Sequence, residues 1–164
     1  DHNVILSDII ATTPWGKAKN IYGLIYSDQS GNMPPFELLG RFSKHFKYVD
    51  QLIYVSSANI KRGLHLHPER RRLTDLMREV KKRYWIVREP QGIHQWTFLF
   101  ATNWDSFPVF KGMGFHRHDS PEGRHILFRL ATTNKERKRG GFSGKTGPGE
   151  FDFVDIRLNP VGLY

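Results

Sequence analysis

Two histidine pairs are the first residues whose type and spacing point to chemistry. His65-Leu66-His67 and His116-Arg117-His118 each set two imidazoles two positions apart. Alternate residues of a strand share a face, so each pair can turn both rings toward one divalent metal ion, with Glu69 or Asp119 adding an oxygen. Against this, Pro68-Glu69 ends the first strand directly after its pair, and two surface histidines flanking a strand end explain the pattern as well. Glu150, Asp152 and Asp155 are a weaker set of metal-binding carboxylates. The odd spacing of Asp152 and Asp155 sends them to opposite faces of a regular strand. Gly141-Phe142-Ser143-Gly144-Lys145-Thr146 echoes a phosphate-binding loop, but too few residues precede the Gly-Lys-Thr, and Gly147-Pro148-Gly149 blocks the helix that must follow. There is no cysteine, which excludes a disulfide scaffold, a cysteine-zinc site, an iron–sulfur cluster and a thiol nucleophile.

The cations carry a stronger signal. The chain of 164 residues has 25 Lys+Arg against 16 Asp+Glu, a formal net charge of +9. The run Arg70–Arg83 holds Arg70, Arg71, Arg72, Arg78, Lys81, Lys82 and Arg83 against two acids. The run 135–149 holds Lys135, Arg137, Lys138, Arg139 and Lys145 against one. Their surplus equals the whole net charge. Cationic donors spread along a path suit a phosphate backbone, because each neutralised phosphate releases condensed counterions. The glycine-rich second run can mould to such a backbone, and Phe142 within it can stack on a base. The expected nucleic-acid contacts are therefore Arg71, Arg78 and Lys82 on a helix stripe, and Lys135, Arg137, Lys138, Arg139, Phe142 and Lys145 on the loop, with Lys17 and Lys19 as a third basic element. Trp15, Trp96 and Trp104 read as core or rim aromatics.

Two family resemblances accompany these readings. Leu64–Met77 (LHLHPERRRLTDLM) and Phe98–Phe115 (FLFATNWDSFPVFKGMGF) together resemble the GNAT acetyltransferase family. There a strand ends near a Pro-Glu-Arg turn and leads into a helix that receives the coenzyme A pyrophosphate. Asn103, Phe107–Phe110, Gly114 and Phe115 match the later part of the family pattern, and the whole covers about half the chain, Gln51 to Leu130. The resemblance implies an acyltransferase using coenzyme A. Its coenzyme site would be atypical, because Arg70-Arg71-Arg72-Leu73-Thr74-Asp75 stands where the family has its glycine turn. The histidine pairs resemble those of the HUH nucleases, which implies a metal at His65 and His67, or at His116 and His118, and Tyr84 as nucleophile.

The elements that must position these residues follow from periodicity and punctuation. Val4–Ile10 is a short apolar stretch, Asn20–Ser27 reads as a strand, and Pro34-Pro35 opens a helix carrying Phe36, Leu39, Phe42 and Phe46. Gln51–Ser56 and Ile60–Leu66 read as strands. Pro68 opens a helix whose apolar face is Leu73, Leu76, Met77, Val80 and Tyr84, with Arg71, Arg78 and Lys82 opposite. Tyr84–Arg88 and Gln95–Ala101 are strands around a Pro90-Gln91-Gly92 turn. Phe115 begins another, Ser120-Pro121-Glu122-Gly123 marks a hairpin, and Arg124–Ala131 is the returning strand. Phe151–Leu158 alternates as the last. The expected class is α/β or α+β, one domain with a mixed sheet of about seven strands and two or three helices. Residues 1–134 form the core, 135–149 the basic loop, and 150–164 the final strand and C-terminus. No apolar run approaches 18 residues, so no membrane span is expected. The chain opens at Asp1 and reads as an excised domain or a processed form. The function expected is non-enzymatic binding of RNA or DNA inside the cell, in a setting such as a ribonucleoprotein, mobile-element or viral complex, with other proteins of a larger assembly as further partners. The expectation includes no cofactor; coenzyme A or a divalent metal belongs to the alternatives.

Overall fold

The computed structural model describes residues 2–12, 20–29, 31–66, 73–91, 95–104 and 113–132. Within them the chain forms five helices and five strands. The helices are α1 (His2–Thr12), α2 (Phe36–His45), α3 (Ser57–Leu66), α4 (Leu73–Glu79) and α5 (Pro121–Ala131). The strands are β1 (Tyr22–Ser27), β2 (Tyr48–Ser56), β3 (Tyr84–Arg88), β4 (Trp96–Thr102) and β5 (Phe115–Arg117). The strands make one mixed sheet in the order β1-β2-β4-β3-β5. β1 runs parallel to β2, with α2 as the crossover, and every other pairing is antiparallel.

The mixed α/β class with a single sheet is as expected, but the element count differs. Ile60–Leu66 lies in α3 rather than a strand: Ile60 and Leu64 are four apart, and both turn toward the core. Arg124–Ala131 lies in α5, because Ser120-Pro121-Glu122-Gly123 is a helix start and not a hairpin. The Ser120 hydroxyl accepts the Gly123 amide at 3.0 Å, and Pro121 takes the first turn, where its missing N–H costs nothing. The helix expected from Pro68 to Tyr84 is described only as α4, and Tyr84 opens β3. The expected last strand, Phe151–Leu158, lies outside the described residues, as does the loop 135–149.

All the apolar side chains that the described helices bury meet one face of the sheet. On that face stand Val49, Ile53 and Val55 of β2, Trp85 and Val87 of β3, and Leu99 and Ala101 of β4. Phe36 and Leu39 of α2, Ile60 of α3, Leu73, Leu76 and Met77 of α4, and Ile126, Leu127 and Leu130 of α5 close over them. A satellite cluster joins Ile10 of α1 to Phe42, Phe46 and Val49. Gln51 is fully buried on the same face and ties β2 to α2, donating to the Leu39 carbonyl at 3.1 Å and the Ser43 hydroxyl at 2.6 Å. The result is two layers, helices over one side of a sheet. Among the described residues no helix is long and apolar enough to cross a membrane.

Candidate functional site

Strand alternation sends the remaining residues to the opposite face, and no described helix covers it. From β1 come Tyr22, Leu24 and Tyr26; from β2, Tyr48, Asp50, Leu52 and Tyr54; from β4, Trp96, Phe98 and Phe100. β3 adds Tyr84, Ile86 and Arg88, and β5 adds Phe115 and Arg117. Half-exposed antiparallel sheets ordinarily carry polar side chains on the wet side. This one carries rings. Tyr22, Leu24, Tyr26 and Trp104 are 61%, 58%, 55% and 47% exposed, too open to be core.

The rings gather in two groups. At one end Tyr22 stacks on Tyr48 with centroids 5.2 Å apart and planes 18° from parallel, and Trp104 lies 6.2 Å from both. At the other end Tyr54, Trp96 and Phe98 lie within 5.7–6.2 Å of one another, and Tyr26 is 6.4 Å from Phe98. Asp50 and Leu52 lie between the groups along β2, with Leu24 opposite Asp50 on β1.

Cations stand over these rings. The Lys47 ammonium is 5.5 Å from the Tyr48 centroid, and the Arg83 guanidinium is 5.1 Å from that of Tyr84. Arg88 reaches Trp96 at 5.8 Å and Phe115 at 5.6 Å, and Arg117 reaches Tyr84 at 5.8 Å. Such contacts contribute roughly 0.5–1 kcal/mol each at exposed sites and leave the charge available to an anion. Arg117 is already committed, holding both oxygens of Asp119 at 2.9 Å. Its hydrogen bond to Asp119 keeps that carboxyl below the usual range. Lys47, Arg83 and Arg88 make no salt bridge with a described residue.

The residues expected to act fare unequally. Arg78 is exposed at the end of α4, paired with Asp75 at 3.0 Å. Lys82 is not on an exposed stripe: the helix ends before it, and the side chain is only 6% exposed. Its ammonium donates to the carbonyls of Phe46 at 3.3 Å and Lys47 at 2.9 Å, so it anchors the start of β2. Burial pushes it down to about 8, against the upward pull of Asp50. Arg71, Lys135, Arg137, Lys138, Arg139, Phe142 and Lys145 lie outside the described residues, with Trp15, Lys17 and Lys19.

His65 falls in a helix rather than a strand, and His67 lies outside the described residues. His118 follows the end of β5 and is buried, with Nδ1 3.2 Å from the Trp85 carbonyl; His116 is half-buried. No three His, Asp or Glu side chains gather around a metal position among the described residues. Asn103 bridges two segments, donating to the Lys47 carbonyl and accepting the Arg83 amide, both at 2.9 Å. Trp96 and Trp104, expected in the core or at its rim, belong to the two ring groups of the face that no described helix covers.

What sequence reasoning missed is the face itself. The signal was in the alternation: positions 22, 24 and 26, then 48, 52 and 54, then 96, 98 and 100 carry rings or leucines, while Ile25, Val49, Ile53 and Leu99 between them are apolar too, with Gln51 and Thr97 the polar exceptions. Both faces looked like core, and only the placement of every described helix on one side separates them. Comparison of the chain with protein-family models, curated proteins and solved structures finds no match.

Proposed function

We propose that this protein binds single-stranded nucleic acid on the face of its sheet that no described helix covers. The observation that carries this reading is a double group of exposed and half-buried rings, on a face where cations that make no salt bridge with a described residue stand over rings. Every base has a π face, and stacking on an aromatic side chain contributes about 1–3 kcal/mol per base. A duplex keeps its bases stacked on each other and cannot offer them to a flat platform, whereas a single strand can splay them out. Lys47, Arg83 and Arg88 supply the attraction for phosphate, and the chain's +9 charge supports the same partner at long range. The basic run 135–149 extends the electrostatic footprint in this reading.

Fluorescence anisotropy with a labelled single strand and a hairpin duplex of equal length tests it. The single strand is expected to bind more tightly, and Tyr22→Ala with Tyr26→Ala to weaken it without lowering the melting temperature. Three rim cations on phosphates correspond to a slope of log affinity against log salt of about −2 for a single strand, before the basic runs add theirs. Equal binding of duplex and single strand, or affinity indifferent to salt, overturns the reading.

A further inference from the structure

We infer that β1 pairs with β1 of a second copy of this chain, antiparallel and centred on Leu24, so that two sheets run on as one. β1 ends the sheet, and no described strand pairs with its outer edge. Edge strands are ordinarily kept apart by charge, proline or shortness. The opposite edge follows that rule, since β5 is three residues long and carries Arg117. β1 does not. Its six residues include no Lys, Arg, Asp, Glu or Pro, and Tyr22, Leu24 and Tyr26 are each more than half exposed. The helix layer stops at the same side. α1 packs on α2 and α2 on α4, while Ile25 of β1 packs in the cluster of Ile10. α1 is thus the outermost helix there, and it leaves Val4 and Ile5 exposed.

The symmetry of the strand names the occupant. A two-fold contact sets one patch against itself and needs a pattern that complements its own reverse. Tyr22-Gly23-Leu24-Ile25-Tyr26 is such a pattern: about Leu24, Tyr22 meets Tyr26 of the second copy and Leu24 meets Leu24. On the helix side Gly23 falls opposite Ile25, and the missing side chain leaves room for the branched one. The two-fold axis stands perpendicular to the sheet, because only that axis sets side-by-side strands antiparallel, so both ring faces look the same way. Rings on neighbouring strands can touch, as Tyr22 and Tyr48 do at 5.2 Å. Each copy carries +9, but none of it lies in β1, so the copies repel at a distance and not at the contact. Val4, Ile5, Ile21, Tyr22, Leu24 and Tyr26, with the open backbone of β1, present on the order of 700 Å² per copy, near the roughly 800 Å² per partner of a specific pair.

Sedimentation equilibrium of the full chain, freed of nucleic acid by a high-salt wash, tests this. The mass is expected to rise from 19.1 kDa toward twice that between about 1 and about 300 µM. Raising salt from about 50 to about 500 mM is expected to tighten the pair, because it screens two like-charged chains. Leu24→Lys and Leu24→Glu each set like charges against each other at the axis and are expected to pair far more weakly than the wild type. Mixed in equal amounts they set opposite charges there, and the mixture is expected to associate about 3–10-fold more tightly than either alone. Leu24→Arg and Leu24→Asp replace them should either lose its far-ultraviolet circular dichroism. A wild-type chain still monomeric at about 300 µM, a pair that salt loosens, a variant that pairs like the wild type, or a mixture no heavier than its components overturns the inference. With no nucleic acid present, none of these outcomes bears on nucleic-acid binding.

Discussion

Arg78 and Lys82 are four positions apart in one basic run and do opposite work. The Arg78–Asp75 pair is exposed on both sides, and such pairs contribute about 0–1 kcal/mol. Lys82 is buried and satisfies two backbone carbonyls with charge-assisted hydrogen bonds, each roughly 1.5–3 kcal/mol. Lys82→Ala is therefore expected to lower unfolding free energy by about 2–4 kcal/mol in denaturant titration, and Arg78→Ala to leave it within about 0.5 kcal/mol. Equal effects of the two would contradict the burial of Lys82. His118 gives a pH test. Burial, the largest influence on it, holds its imidazole below the usual 6.5 despite Asp119 and the Trp85 carbonyl. Between its folded value and 6.5 the unfolded chain binds more protons than the folded one, so stability rises with pH there. Acidification from pH 7.5 to 5.5 is expected to lower the melting temperature, and by less in His118→Asn. A variant with an unchanged acid slope would show that the slope arises elsewhere.

The elements were legible where one period dominated. β2, β3 and β4 announced themselves by β-branched and aromatic runs, and α2 by Phe36, Leu39 and Phe42 at helical spacing. α5 was misread because Ser-Pro-Glu-Gly punctuates a turn and a helix start alike. The distinguishing sign lay downstream, in Ile126, Leu127 and Leu130, which fall on one helical face and out of step with strand alternation. α3 lost its identity for a similar reason: its last seven residues, Ile60–Leu66, set Ile60, Leu64 and Leu66 at even spacings that one face of a strand would also give. The start of α5 is the place to test the corrected reading. Ser120→Ala removes the cap on the Gly123 amide and is expected to cost about 1 kcal/mol. Gly123→Ala should cost more, roughly 1–3 kcal/mol, because a Cβ there would run into the Arg117 carbonyl. A hairpin at this position would tolerate both changes, so chemical denaturation of the two variants separates the structures.

At the scale of the molecule, what matters is the one-sidedness of the helical layer. No residue of β1 or β4 reveals by itself which face the helices will take, since Ile25 and Leu24, or Leu99 and Phe98, are equally apolar neighbours. The choice is made by chain topology, through contacts between α2, α3, α4, α5 and the sheet that are distant in sequence. That is why the candidate site was illegible while most of its strands were not. The same topology sets the spacing of the two ring groups. Tyr48 and Tyr54 are six residues apart on β2, about 20 Å at 3.3 Å per residue. At roughly 3.4 Å per stacked nucleotide, a strand touching both needs about six nucleotides, fewer if it is extended. A trimer can occupy one group and a hexamer both, and the second contact is then intramolecular, at an effective concentration in the millimolar range. Affinity is therefore expected to climb steeply from three nucleotides to about six and to flatten beyond. Tyr22→Ala, which thins one group only, should barely change trimer binding, since the trimer uses the other, but should cost the hexamer about 5–150-fold. Calorimetric titration across a length series of one homopolymer reads both effects. If trimer and octamer bind alike, the two groups do not act as one surface, because a ligand that spans them gains from both.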